Sequence, residues 1–141
     1  METLQANQRV HAVFNIMRLT YGLVPIIAGL DKFTNLLTSW EQYLHPGLAS
    51  ILPFSAATFM MIVGVIEIVA GIIVLSRPII GAYIVMAWLA LIALTLLASG
   101  QYLDVAVRDL VMAVGAYSFA QIAQIVYVPK TLHRHQEVAF P

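Results

Sequence analysis

Apolar residues fill four long runs of this chain, and polar residues are largely confined to the stretches between them. A helix needs about 20 mainly apolar residues to cross the hydrocarbon core of a bilayer. The runs that meet this length predict transmembrane helices over 13–30, 56–75, 79–98 and 110–128. The pattern therefore predicts an all-α membrane protein, in which a four-transmembrane-helix bundle makes residues 1–141 a single membrane domain.

The connection between the first and second predicted helices differs from the others because one of its faces is apolar. Its large apolar residues recur at helical spacing: Phe33, Leu36, Leu37, Trp40, Tyr43 and Leu44. Tryptophan and tyrosine favour the headgroup region of a membrane. The spacing predicts an amphipathic interfacial helix over 33–44 that lies along the membrane surface. A plain polar loop is the alternative.

The composition supports a membrane protein and excludes several other classes. Hydrophobic residues make up 61% of the chain and charged residues only 10%, whereas soluble domains carry about a quarter charged residues. The formal net charge is zero, so we expect no nucleic acid partner. The chain has no cysteine, which excludes disulfides and thiolate metal sites. We expect the lipid bilayer as the main surroundings, no metal site, and no cofactor ligand within the chain.

The basic residues of the short connections are biased towards the side that holds both termini. That side carries Arg9, Arg77, Lys130 and Arg134. The other side carries Lys32 and Arg108, together with four acidic residues. Because basic residues concentrate in cytoplasmic loops, the sequence predicts that both termini lie in the cytoplasm.

Two charged residues, Arg18 and Glu67, lie well inside predicted helices. A charge within a span costs at least a few kcal/mol, so it is normally paired or faces the bundle interior. Both share a helix face with glycines, which allow helices to approach closely. Counted from the predicted helix ends, they differ by about 6 Å in depth, which an arginine side chain spans. We therefore predict a buried ion pair between them.

Other polar residues extend this picture at both ends of the bundle. Three on the fourth predicted helix are expected to form a polar pocket with the ion pair: Tyr117, Gln121 and Gln124. An outer charged cluster is predicted at the opposite end: Asp31, Lys32, Arg108 and Asp109. We expect the outer residues to anchor the helices at the interface in preference to forming a binding site. The ion pair has three open interpretations, namely a structural staple, a pocket for a headgroup, quinone or proton, and a contact with a partner subunit.

Two stretches of the chain resemble the DoxX family of small membrane proteins. One comprises Arg18–Val24 and Ala28–Phe33, and it resembles the opening helix of that family. The other, Gly64–Gly71, resembles the second helix with its glutamate between glycines. A looser match begins at Arg108, where the family often has a polar residue before an apolar run.

The resemblance implies a four-helix protein of a bacterial cytoplasmic (inner) membrane. The family takes its name from a subunit of a thiosulfate:quinone oxidoreductase, which passes electrons to the quinone pool. It therefore implies a membrane subunit that anchors or accompanies a quinone-linked redox complex, with other membrane protein subunits as partners. A quinone- or lipid-binding protein that acts alone is the first alternative, and a small transporter is the second. No catalytic residue is predicted.

Overall fold

The computed structural model describes residues 2–127, and every regular element among them is helical. The elements are α1 (Glu2–Thr34), a single 3-10 turn (Trp40–Tyr43), α2 (Pro46–Ile51), α3 (Ala56–Ser76), α4 (Pro78–Ser99) and α5 (Leu103–Tyr127). By length and composition, α1, α3, α4 and α5 are each able to cross a membrane. The structure thus confirms the prediction of an all-helical fold with four helices long and apolar enough to span a membrane.

The first and last long helices extend further than the apolar runs predicted. The polar residues before 13 are helical as well, so α1 has 33 residues and a length of about 50 Å. This exceeds a hydrocarbon core of about 30 Å. The residues just before the predicted last span are also helical, because α5 begins at Leu103. The predicted helix end at 128 and the basic residues Lys130 and Arg134 lie outside the described residues.

The predicted interfacial helix over 33–44 is not formed as a continuous element. Asn35 adopts a left-handed conformation with φ of 54°, which asparagine tolerates and which ends α1. The Asp31 carboxylate then accepts hydrogen bonds from the backbone N–H groups of Leu36 and Leu37, at 2.9 Å and 3.0 Å for the shorter contacts. These N–H groups are no longer free for a continuing helix. Only the short turn at Trp40–Tyr43 remains helical.

Two close helix pairs build the bundle. α1 packs along α3, α4 packs along α5, and contacts of α3 with α4 and of α1 with α5 close the ring. Paired glycines bring α1 and α3 together, so that a Cβ atom added to Gly64 would lie only 2.6 Å from the Gly29 carbonyl oxygen. Gly22 and Gly71 meet in the same way. These four glycines, here called the glycine seam, confirm that the predicted faces of α1 and α3 approach closely. Their contacts define an antiparallel register.

Small residues line the inside of the bundle, while large apolar residues lie on its outside. More than half of the buried apolar residues are alanines, at positions 70, 82, 93, 106, 113, 116, 120 and 123. Exposed large residues run along every long helix, for example Leu23, Val65, Leu94 and Val114. In water this distribution would be unfavourable, but in lipid it is expected because helices associate there through close packing of small residues.

Candidate functional site

Arg18 binds the end of α3 and does not pair with Glu67. Its guanidinium donates two hydrogen bonds to the Leu75 carbonyl oxygen, the one from Nε at 2.9 Å. This carbonyl is among the last four of α3, which have no partner within the helix. A positive charge is also favourable at a helix C-terminus. The predicted Arg18–Glu67 ion pair is therefore wrong.

Register and side-chain direction together explain why the two charges do not meet. The glycine contacts place Arg18 opposite Leu75, which is 75 − 67 = 8 residues beyond Glu67 along α3, or about 12 Å. Side chains also tilt towards the N-terminus of their own helix. Because α1 and α3 are antiparallel, the side chains of Arg18 and Glu67 tilt in opposite directions, away from each other.

Glu67 instead forms a buried ion pair with Lys32. Lys32 Nζ lies 2.6 Å from Glu67 Oε2, and the two side chains are only 4% and 10% exposed. The Lys32 Cβ atom lies beside Gly64, 3.2 Å from the position of an added Cβ, and Glu67 is one turn further along α3. The Lys32 side chain tilts towards the middle of the bundle, and the Glu67 side chain tilts towards the C-terminal end of α1. The tilt that separates Arg18 from Glu67 therefore brings Lys32 and Glu67 together.

Two tryptophan side chains hold this ion pair in place. The Trp88 indole N–H on α4 donates to Glu67 Oε1 at 3.4 Å. The Trp40 ring lies 3.7 Å from Lys32 Nζ, measured to the ring centroid, which is a favourable cation–π geometry. The Trp40 indole N–H also donates to Asp31 Oδ2 at 2.8 Å. The indoles thus connect residues from α1, α3, α4 and the segment that follows α1.

Aromatic rings contact one another at the end of the bundle that carries residues 35–55, here called the loop end. The rings of Trp40 and Tyr43 have centroids 6.1 Å apart, and Tyr43 contacts Tyr102 edge-on with centroids 4.8 Å apart. Tyr102 belongs to the link between α4 and α5. These contacts join the two loop-end connections.

Asp109 on α5 completes a group of four buried charged residues. It is 8% exposed. We call Asp31, Lys32, Glu67 and Asp109, with Trp40 and Trp88, the Lys32 cluster. Within residues 2–127, nothing donates a hydrogen bond to the Asp109 carboxyl group. The expectation that the outer residues are interface anchors is therefore wrong for Asp31, Lys32 and Asp109, which are buried.

Arg108 alone among the predicted outer residues has the surface position expected of an anchor. Its side chain is 74% exposed, and its Nη2 atom lies 3.6 Å from a carboxylate oxygen of Asp104 one turn earlier on α5. An exposed pair of this kind contributes little to stability. Arg108 therefore remains outside the cluster, although it is adjacent in sequence to Asp109.

The cluster contains more acidic than basic groups. Three carboxyl groups and one ammonium group are buried here, and α4 has no charged residue to add. The Asp31 carboxylate is well satisfied, because it accepts hydrogen bonds from Thr34, Leu36, Leu37 and Trp40. The imbalance therefore falls on Glu67 and Asp109, and among the described carboxyl groups Lys32 forms its ion pair with Glu67. Such a site is suited to binding a polar head group.

The predicted polar pocket separates into groups that do not meet. Gln121 and Gln124 each donate an amide hydrogen bond to the Tyr83 hydroxyl oxygen at 3.2 Å, which links α5 to α4. Tyr117 is 51% exposed and makes no side-chain hydrogen bond within the described part of the chain. Neither the glutamines nor Tyr117 reaches Arg18 or Glu67.

Trp88 was not among the predicted site residues, although the sequence contains a signal for it. A tight connection at Arg77 joins α3 and α4. In an antiparallel hairpin, residues at equal distances from the turn lie at the same depth. Glu67 precedes Arg77 by ten residues and Trp88 follows it by eleven, so counting outward from the turn would have paired them. For Tyr83 the same count pairs it with no charged residue, so no comparable signal pointed to it.

An apolar groove runs beside the cluster between α3 and α4. It has a volume of about 260 Å³ and is lined by Ile66, Ala70, Ile84, Ala87, Trp88 and Leu91. The alanines leave room between the two helices, and Trp88 belongs to both the groove and the Lys32 cluster. A molecule with an apolar chain and a polar head would fit this arrangement, with the chain in the groove and the head near Trp88.

No protein-family model, no curated protein and no solved structure matches this chain.

Proposed function

We propose that this chain is a DoxX-like membrane subunit that anchors or accompanies a quinone-linked redox complex, with the Lys32 cluster as its functional site. The observation that carries the proposal is a buried charged cluster beside an apolar groove in a membrane bundle. Charged residues within spans are costly and are usually retained for function. The two stretches that resemble the DoxX family also supply Asp31, Lys32 and Glu67, together with the glycines that hold α1 against α3.

Quinone chemistry fits the groups available at this site. A quinone has two carbonyl oxygens that accept hydrogen bonds and an apolar tail. The Trp88 indole N–H is a donor beside the groove that Trp88 lines, and the groove accepts the tail. In this proposal the electron carriers lie on partner subunits, and this chain positions the quinone for them.

The proposed function is tested by purifying the protein from its native membrane in mild detergent. We expect other membrane subunits to co-migrate with it and quinone to be extracted with the complex. Ala87→Phe should fill the groove and reduce the bound quinone at least several-fold. Leu94→Phe is the matched control, because Leu94 lies on the exposed face of α4. A monomer with turnover of its own, and no bound quinone, would contradict the proposal.

The same groove favours a second candidate, a quinone- or lipid-binding protein that acts without partners. Recovery of the protein alone with a lipid or quinone in stoichiometric amount would support this candidate over the first. A small transporter is the third candidate, and movement of a solute into liposomes that contain the purified protein is its test.

We further propose that the protein lies in a bacterial cytoplasmic membrane with both termini in the cytoplasm. Arg77 at the turn between α3 and α4, together with Arg9 on the same side, supports this orientation. The absence of cysteine from the chain makes every introduced cysteine unique. On intact cells, an impermeant thiol reagent should label Gln101→Cys and leave Ser76→Cys unlabelled until the cells are opened. The reverse labelling pattern would show the opposite orientation.

A further inference from the structure

We propose that Arg18 and Arg77 bind the phosphate group of an anionic phospholipid at the end of the bundle that carries the turn between α3 and α4, here called the turn end. The observation that carries the proposal is a pair of guanidinium groups that have no carboxylate partner within residues 2–127. The site lies at the opposite end of the bundle from the loop end. It depends neither on a bound quinone nor on a partner subunit.

Arg18 is held in place with part of its guanidinium group unused. Its Nε and Nη2 atoms donate to the Leu75 carbonyl oxygen, and Nη1 makes no hydrogen bond in the described part of the chain. Every fully enclosed side-chain nitrogen or oxygen atom in that part has a hydrogen-bond partner, so Nη1 of this half-buried residue keeps accessible surface. The contact with α3 therefore fixes the guanidinium group and leaves its Nη1–Nη2 edge for an acceptor outside the chain. Arginine binds phosphate oxygens in pairs through such an edge.

Arg77 brings a second guanidinium group to the same end of the bundle. Its backbone is fixed by both helices, because its N–H donates to the Ile73 carbonyl oxygen at 2.6 Å and its carbonyl oxygen accepts from the Gly81 N–H at 2.9 Å. The residue is exposed. It follows Leu75 by two residues, so the Cα atoms of Arg77 and Leu75 are within about 8 Å of each other. A long arginine side chain from this position reaches an acceptor that is bound by Arg18.

Carboxylates are absent from the surroundings of the two arginines. Glu2 precedes Arg18 by 16 residues, about 24 Å along α1. Glu67 is about 12 Å from Leu75 along α3 and is paired with Lys32. The other acidic residues between 2 and 127 lie towards the loop end, at positions 31, 41, 104 and 109. The membrane itself supplies the missing counter-ion, because arginine binds the phosphate of a lipid headgroup well.

The residues around the two arginines favour a lipid over a free phosphate ion. Large apolar side chains are exposed beside them on all three helices, namely Ile16 and Leu19 on α1, Ile72 on α3 and Ile80 on α4. These side chains suit acyl chains and offer no binding group to a free ion. Two positive charges also favour a lipid with net negative charge over a zwitterionic lipid, whose ammonium group they repel.

Lipid retention by the purified full chain tests the proposal. The protein is incubated in detergent with equal amounts of phosphatidylglycerol and phosphatidylcholine that have the same acyl chains, and native mass spectrometry counts the lipids that remain bound. Each basic residue near an anionic lipid contributes a factor of about five to binding. We therefore expect a preference of about 20- to 30-fold for phosphatidylglycerol.

Single substitutions assign the preference to the site. Arg77→Gln should reduce it about five-fold, and this variant should fold because the Arg77 side chain makes no hydrogen bond within the described residues. Arg9→Gln removes the same charge nine residues before Arg18 on α1, about 14 Å away. Arg108→Gln removes it near the loop end, where Arg108 is paired with Asp104. Both control variants should stay within about two-fold of the wild-type protein, because charges more than a Debye length away are screened.

Three results would overturn the proposal. One is equal retention of the two lipids by the wild-type protein. Another is a loss in Arg9→Gln as large as that in Arg77→Gln, which would show diffuse attraction to a basic surface instead of a defined site. The third concerns inorganic phosphate, which should leave the bound lipid in place even in large excess because it has no acyl chains. Complete displacement of the lipid by phosphate would show that the site binds the free ion.

Discussion

Replacing Lys32 with methionine is expected to lower the free energy of unfolding by about 3–5 kcal/mol, because it leaves the Glu67 carboxylate buried without its cation. The Lys32–Glu67 contact is 2.6 Å long and almost fully enclosed. Replacing both residues together, as Lys32→Met with Glu67→Leu, should recover much of the loss, since neither charge is then left alone. Reversible unfolding in mixed detergent micelles measures all four proteins of this cycle.

Arg18 provides the matched control for this cycle. Its hydrogen bonds go to the Leu75 carbonyl oxygen, about 12 Å along α3 from Glu67. The effects of Arg18→Met and Glu67→Leu should therefore add to within about 0.5 kcal/mol. A strong coupling between Arg18 and Glu67, or a coupling near zero between Lys32 and Glu67, would show that the charges pair differently from the structure.

The second large effect is expected at the glycine seam. Gly64→Val should lower the free energy of unfolding by about 3 kcal/mol, the upper end of the usual range for overpacking. The added Cβ would lie 2.6 Å from the Gly29 carbonyl oxygen, and a backbone atom cannot move aside as a side chain does. The same Cβ would lie 3.2 Å from that of Lys32, so we also expect the ion pair to be displaced.

Val65→Leu is the control for this substitution. Val65 is the next residue of α3 and is 51% exposed on the outer face, where an additional methylene group meets lipid. Its effect should stay within about 0.5 kcal/mol. Both variants can be measured by the unfolding assay used for the Lys32 cycle. Equal stability of Gly64→Val and the wild-type protein would mean that α1 and α3 do not approach each other at this point.

The predicted spans and the observed helices agree well because both depend on local properties of the chain. An apolar run of about 20 residues has few alternatives to a membrane helix, since every backbone polar group must be satisfied internally in lipid. The glycine seam was also predictable, because the spacing of Gly22 and Gly29 on α1 matches that of Gly64 and Gly71 on α3. Here, residues at helical spacing were sufficient to identify the faces in contact.

The interfacial segment shows where local pattern was insufficient. Its apolar residues have helical spacing, yet the left-handed Asn35 ends α1, and the Asp31 carboxylate holds the next backbone N–H groups. Asp31 in turn is positioned by the Trp40 indole, nine residues away. A side chain that accepts hydrogen bonds from backbone N–H groups competes directly with a continuing helix. A hydrophobic pattern gives no information about that competition.

By itself, then, the sequence determined that the chain forms four apolar helices long enough to cross a membrane, and which faces of α1 and α3 meet. Only the tertiary structure decided that Glu67 pairs with Lys32, that Arg18 binds the end of α3, and that Asp109 is buried. Hydropathy is a sum over neighbouring residues, so it can be evaluated without knowing how the helices pack. An ion pair depends on the register between two helices and on the direction in which each side chain tilts, and a shift of two turns replaces one partner with another.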